Sequence, residues 1–324
     1  LAKRKQASAP NGRSTAKKKD QARSILGEIQ DAADNARDWL RGRGDYYTYL
    51  TRRDSLRGAP ELARHLRGDL LARQGRDGSW GEGDLASSVE AMWYLLDLGM
   101  GVDSSPVTRG LEWIHAQQDA EGAYGFGCTP ARHDQRLCEH FLRGFFSPGA
   151  PDEAQEISLN NGQTVTSDVG ARLLVSERAL RLVLRANASD QRAAASLSGL
   201  TALPLYEEYG GTFTPAVLVG ALQALAWAGG RGDSHCLETG LETLAAKQKK
   251  DGAWPNVEFS FVLEMLLETR HALADRMVRA AVPRLLKSQH KNGAWGRRHM
   301  GAQTWIAFQV LEQTLIREKG PGVT

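Results

Sequence analysis

Several features are missing from this 324-residue chain, and each absence excludes something. No run of 18 apolar residues occurs, so no transmembrane helix is expected. No apolar core follows the basic start, so no secretory signal is expected and a cytoplasmic protein is the default. Three cysteines, Cys128, Cys138 and Cys236, are too few for a disulfide framework. No convincing apolar–polar alternation appears, which argues against strands. Aromatic residues are only 7%, so few remain to line a large cavity. What is present, 41% hydrophobic and 24% charged residues, is ordinary for a globular protein.

The formal charge of +3 is unevenly spread. Residues 1–24 hold eight Lys/Arg and one Asp, a net of +7, so the other 300 residues carry −4. Such a polar tail cannot bury enough surface to fold alone. The composition predicts a disordered basic tail over 1–24 that can touch anionic surfaces, with no specific nucleic-acid binding. An N-terminal helix and link over 25–60 follow, then a folded body over 61–316 and a frayed end over 317–324.

A seven-residue pattern recurs in the body: Gln, an acid or amide, Gly and an aromatic. It is clean in QGRDGSW at Gln74, QDAEGAY at Gln118, QKKDGAW at Gln248 and QHKNGAW at Gln289. The long middle gap suggests two worn copies, SLNNGQT at Ser158 and EEYGGTF at Glu207. Segments before and after each copy place apolar residues at three- and four-residue steps, as in GLEWIHAQQ and AVLVGALQALAWAG. They read as helices, which gives about twelve in six hairpins, all-α. Within the motif, Gln is expected to donate to the last carbonyls of the preceding helix. Asp-Gly or Asn-Gly makes the turn. The aromatic ring packs between neighbouring hairpins.

This pattern, Gln-x-x-Asp-Gly-x-Trp, resembles the repeat of the prenyltransferase and squalene/oxidosqualene cyclase superfamily, over about residues 61–316. The resemblance implies an (α/α)6 toroid of six inner and six outer helices. The helix before Gln would be outer and the helix after the aromatic inner. It further implies isoprenoid handling: cyclising a terpene by protonation, or attaching a prenyl group with zinc. A hydrophobic chain would lie in the central cavity, and a second protein subunit would be a natural partner.

The family's chemistry is incompletely present. No Asp-x-Asp-Asp occurs; TSDVGA keeps Asp168 alone, which equally suits an N-cap. No Asp-x-Cys occurs, and His299 lacks its two partners. Other constellations remain. Cys128, His133, Cys138 and His140 fall within thirteen residues and carry zinc-ligand chemistry, so zinc is the candidate cofactor. Arg297, Arg298 and His299 precede a helix start and could hold a diphosphate. Glu82 and Asp84, with Asp168 and Glu258, could form paired acids of the kind glycoside hydrolysis uses, although acids at helix starts also answer the dipole. Trp93, Phe141, Phe145, Phe259 and Trp305 are candidate cavity aromatics. Three readings follow: an isoprenoid-handling, cyclase-like protein; a non-catalytic toroid binding a lipid, peptide or protein; and a carbohydrate-active toroid.

Overall fold

A computed structural model describes residues 12–53, 59–118, 122–124, 157–165, 168–186, 191–229 and 234–319; for 12–24, 168, 169 and 319 only the backbone is described. Among the described residues twelve helices form two concentric layers. The outer layer is α1 (Gly12–Arg41), α3 (Pro60–Ala72), α5 (Ser105–Ala116), α7 (Gln191–Thr201), α9 (Ser234–Lys247) and α11 (Ala272–Ser288). The inner layer is α2 (Tyr46–Arg53), α4 (Leu85–Asp97), α6 (Asp168–Ala186), α8 (Pro215–Ala228), α10 (Phe259–Glu268) and α12 (Met300–Lys319).

The two layers differ in their sequences for a physical reason. Outer α9 buries Cys236, Gly240, Leu241 and Leu244, one stripe at three- and four-residue steps. Inner α8 (PAVLVGALQALAWA) buries twelve of its fourteen residues, because other helices surround it. Each inner helix packs on the next: α4 on α6, α6 on α8, α8 on α10, α10 on α12, α12 on α2. Tyr46 of α2 stacks on Tyr94 of α4 at 4.0 Å, which completes the circuit.

The repeat motif is the joint between outer helices. The Gln74 amide donates to Gly78 O at 3.1 Å and to Pro106 O of the next outer helix at 2.9 Å. Gln118, Gln248 and Gln289 repeat both bonds, onto Arg192, Met277 and Ala32. The glutamine therefore ties its own turn to the neighbouring helix, rather than capping the helix before it. Gly252 shows why glycine is needed: its φ is +86°, and a Cβ there would meet Ala280 O at 2.4 Å. The indoles of Trp80, Trp254 and Trp295 donate to Leu70, Leu244 and Leu285 of their own outer helices at 2.8–3.0 Å. In the worn joint near Glu207, Tyr206 takes that part by donating to Leu200 O, while Phe213 is only half-buried.

The ring has six helix pairs, but their membership differs from the sequence reading. The last joint docks Gln289 on α1, so α1 and α2 supply the sixth pair. Helical backbone begins at Gly12, inside the segment assigned to a tail, and α12 continues to Lys319, past the expected end of the body. SLNNGQT is not a joint. It is the hairpin of β1 (Ile157–Ser158) and β2 (Thr164–Val165), a two-stranded antiparallel pair with the turn at its tip.

Candidate functional site

That hairpin turns inward. Asn161 is fully buried; its amide donates to Glu264 of α10 at 2.6 Å. Its carbonyl accepts from Ser260 at 3.1 Å and from Gln303 of α12 at 3.0 Å. Asn160 donates to Glu90 of α4 at 3.1 Å and to Tyr94 at 2.9 Å. Gln163 accepts from the Glu258 N–H at 2.9 Å. The tip thus bonds three inner helices through polar contacts and floors the ring.

A central cavity of about 240 Å³ lies against this floor. Its wall mixes aromatic rings (Tyr46, Tyr47, Trp93, Tyr94, Trp305) with Glu90, Asp97, Glu264 and Glu268 and with Arg53, Arg178 and Arg181. Charged and polar side chains thus share this wall with the aromatic rings. Among the described residues, the charges fall into two tiers. At the floor, Glu90 Oε1 accepts from both Tyr94 and Asn160, and Glu264 accepts from Asn161. These two carboxylates are held by neutral donors. Further along, carboxylates meet arginines. Arg181 donates to both oxygens of Glu268 at 2.6 and 2.8 Å, and Trp227 adds a third bond at 2.9 Å. Asp97 accepts from Arg185 at 2.9 Å and from Tyr46.

Burial governs the ionisation of these groups. It raises Glu268 above the ordinary carboxylate range and lowers Arg181 below the ordinary guanidinium range, each opposed by the other's charge. Burial also raises the phenols of Tyr46 and Tyr94, with Asp97 adding to the first and Tyr47 and Glu90 to the second. The Tyr47 phenol is raised by burial, then by Glu90 and Glu264 against the opposing bond from Tyr94.

The residues singled out from sequence disperse. Trp93 and Trp305 line the central cavity. However, Arg181 and Arg185 lie over the Trp93 ring at 5.0 and 4.5 Å, so that ring already serves two cations. Phe259, Arg297, Arg298 and His299 line a second cavity of about 440 Å³ at the hairpin, which shares Ile306 with the central one, with the three polar residues exposed. Asp84 caps α4 by accepting from the Ser87 N–H at 2.7 Å, and Glu82 is exposed in a tight turn with φ +58°. The two therefore face a helix end and solvent rather than each other across a cleft. Asp168 starts α6, its side chain outside the described residues, as are Cys128, His133, Cys138, His140, Phe141 and Phe145. Among the described residues no cluster of three or more potential metal ligands occurs, and no helix is long and apolar enough to cross a membrane.

The sequence reading missed Glu90, Asp97, Glu264, Glu268, Arg178 and Arg181. A signal existed. Glu90 and Glu264 interrupt largely apolar stretches of α4 and α10, SVEAMWYLLD and FVLEMLLE. A charge in such a helix must face a partner or a polar space.

No protein-family model and no curated protein matches the sequence. Solved structures do match. The type II terpene cyclase MstE from Scytonema, in its apo form, has a TM-score of 0.59 at 14% identity, covering 90% of this chain and 100% of that one. A variant of MstE with its substrate, geranylgeranyl dihydroxybenzoate, has 0.59 at 15% identity over 90% and 99%. A protein from Actinoplanes has 0.58 at 15% identity over 89% and 98%. At these identities the likeness carries the fold: the chain has the all-α toroid fold of the type II terpene cyclases.

Proposed function

We propose that this protein binds an isoprenoid chain in its central cavity and starts its cyclisation by protonation, with Glu90 as the donor. The observation that carries this reading is the arrangement at Glu90. Both hydrogen-bond donors fall on Oε1, and no donor to Oε2 is seen among the described residues, so Oε2 is the atom that can carry a proton. Two donors on Oε1 are in place to hold the carboxylate that proton transfer leaves behind. The neighbouring neutral-held carboxylate, Glu264, suits the opposite task of accepting a proton.

The step balances. The Glu90 O–H bond breaks and a C–H bond forms on an alkene carbon. The alkene's electron pair makes that bond and leaves a tertiary cation at the adjacent carbon. The next double bond attacks the cation and closes a ring. Loss of a proton from the final cation to Glu264 restores neutrality, so substrate and product are isomers. The rings of Tyr46, Tyr47, Tyr94 and Trp305 line the same cavity and offer negative faces to a passing cation. The likeness to MstE, which acts on a prenylated aromatic acid, supports an isoprenoid substrate that carries a polar head.

The test is turnover. Purified protein is incubated with prenylated aromatic acids and with free isoprenoid alcohols, and isomeric products are sought by chromatography and mass spectrometry. A cyclised isomer that disappears in Glu90→Gln, with substrate binding retained, is the expected result. An isomer formed equally well by Glu90→Gln would overturn the assignment. A second reading, binding without chemistry, is favoured by the ion pairs Arg181–Glu268 and Arg185–Asp97, which fill part of the cavity with fixed structure. Tight isoprenoid binding with no isomer formed would support it.

A further inference from the structure

The floor hairpin stands across the interior of the ring, bonded to α4, α10 and α12. Another cavity suggests where a chain-like ligand enters. A cleft of about 660 Å³ lies between the C-terminal ends of α8 and α10 and the start of α9. Among the described residues its wall is largely apolar, with Leu225, Ala226, Trp227, Leu237 and Leu267, and it reaches Glu268. Leu267 and Glu268 also line the central cavity. Two spaces that share wall residues are separated by a partition one side chain thick.

Trp227 stands on the cleft side; its ring meets Trp93 of the central cavity edge-on at 5.1 Å. Its indole N–H and the Arg181 guanidinium both hold Glu268. Turning Arg181 away would release Glu268 and, with it, Trp227. A resting place for the turned arginine already exists. Glu177, one helical turn before Arg181 on α6, is fully buried, and among the described residues neither of its oxygens has a hydrogen-bond partner. Arg181 Nε likewise has none. Gly220 of α8 makes room for this carboxyl: a Cβ there would lie 1.9 Å from Glu177 Oε2. A buried carboxyl without a donor is costly and calls for a use. Offering a second acceptor to Arg181 is one that the geometry provides.

We propose that an isoprenoid chain enters the central cavity sideways through the α8–α10 cleft, and that Arg181, Glu268 and Trp227 form the gate, with Glu177 receiving Arg181 when it opens. The entry route rests on the reading that the cavity takes a hydrophobic chain, but the gate can be tested without any isoprenoid. A cysteine is placed on the cavity wall by Gln309→Cys in the full chain, and its modification by N-ethylmaleimide is timed by peptide mass spectrometry. Ala226→Trp, which fills the cleft, should slow labelling by about tenfold, and Trp227→Ala should speed it by a similar factor. Glu177→Leu, which removes the second acceptor, should slow it with the cleft still open. Melting curves confirm that each variant is folded, and the opposite signs of the two tryptophan changes guard against a general loosening. Equal labelling rates in all variants would overturn the gate and place access elsewhere on the ring.

The same variants are then tested with a fluorescent farnesyl-chain probe. Ala226→Trp should slow association and dissociation equally and leave Kd unchanged. A changed Kd with unchanged rates would make the cleft a binding wall and overturn its role as an entrance. Labelling that responds as expected while no probe binds would leave the gate standing and defeat the isoprenoid reading instead.

Discussion

The joint at Gln248–Trp254 and the hairpin at Ile157–Val165 both turn on an Asp-Gly or Asn-Gly pair, and they do opposite things. The joint faces outward and fastens one outer helix to the next through Gln248 and Met277 O. The hairpin faces inward and fastens α4, α10 and α12 to one another through Asn160 and Asn161. Both glycines have positive φ, +86° at Gly252 and +97° at Gly162. What differs is the company. Gly252 sits against the backbone of Ala280, whereas Gly162 sits against the end of the Gln303 side chain. A turn sequence fixes a local bend; the residues around it, Gln248 and Trp254 in the joint and Asn160 and Gln163 in the hairpin, decide what the bend is docked on. The joints hold the ring together, and the hairpin shapes its interior.

Substitutions should separate the two roles. The largest effect is expected at the joint. Trp254→Ala removes a buried ring and its bond to Leu244 O, and should cost about 3–5 kcal/mol in chemical denaturation. Gly252→Ala forces a side chain into positive φ against Ala280 O and should cost about 1–3 kcal/mol; Gly162→Ala should cost less, because Gln303 can move. Gln248→Ala loses two hydrogen bonds, about 1–2 kcal/mol in the same measurement. Asn160→Ala should change stability least, yet it removes a donor from Glu90 and should slow turnover by about tenfold or more. If Asn160→Ala proved as destabilising as Trp254→Ala, the division between fastening and shaping would fail.

A pH series sharpens the contrast between buried and exposed acids. Burial raises the Glu177 carboxyl well above its ordinary value of 4.5, with Arg181 opposing. A raised pKa means the native state holds a proton that the unfolded state has released. The resulting stability is therefore complete below about 4.5, the unfolded value, and is lost as pH rises toward the folded one. Glu177→Gln should flatten that fall in a plot of denaturation midpoint against pH from 5 to 9, by up to about 1.4 kcal/mol per pH unit. The acids of the joints behave in the opposite sense: the Asp251 pKa is lowered by the Ala253 N–H, so Asp251→Asn should leave that alkaline fall unchanged.

The outer ring was legible because its grammar is local. Gln74, Gly78 and Trp80 lie within seven residues, and copies at regular spacing announce a repeated joint. The sixth pair was not legible, because α1 carries no motif of its own; it only receives the last one, through Ala32 O. SLNNGQT imitated a joint because Asn-Gly turns look alike whatever they dock on. The cavity was the least legible. Glu90, Glu264 and Asn161 are brought together from positions up to 174 residues apart, and no spacing rule links them. Glu90 and Glu264, charges inside largely apolar stretches of α4 and α10, were the available clue. Arg297, Arg298 and His299 drew notice because they are adjacent in sequence, yet they stand exposed at the rim.

The most direct test of the account is turnover in D2O with a prenylated aromatic acid, product analysed by mass spectrometry. Wild-type protein is expected to give a cyclised product carrying one deuterium at the protonated alkene carbon, and Glu90→Gln no product. A cyclised product without deuterium, or a labelled product formed undiminished by Glu90→Gln, would contradict it.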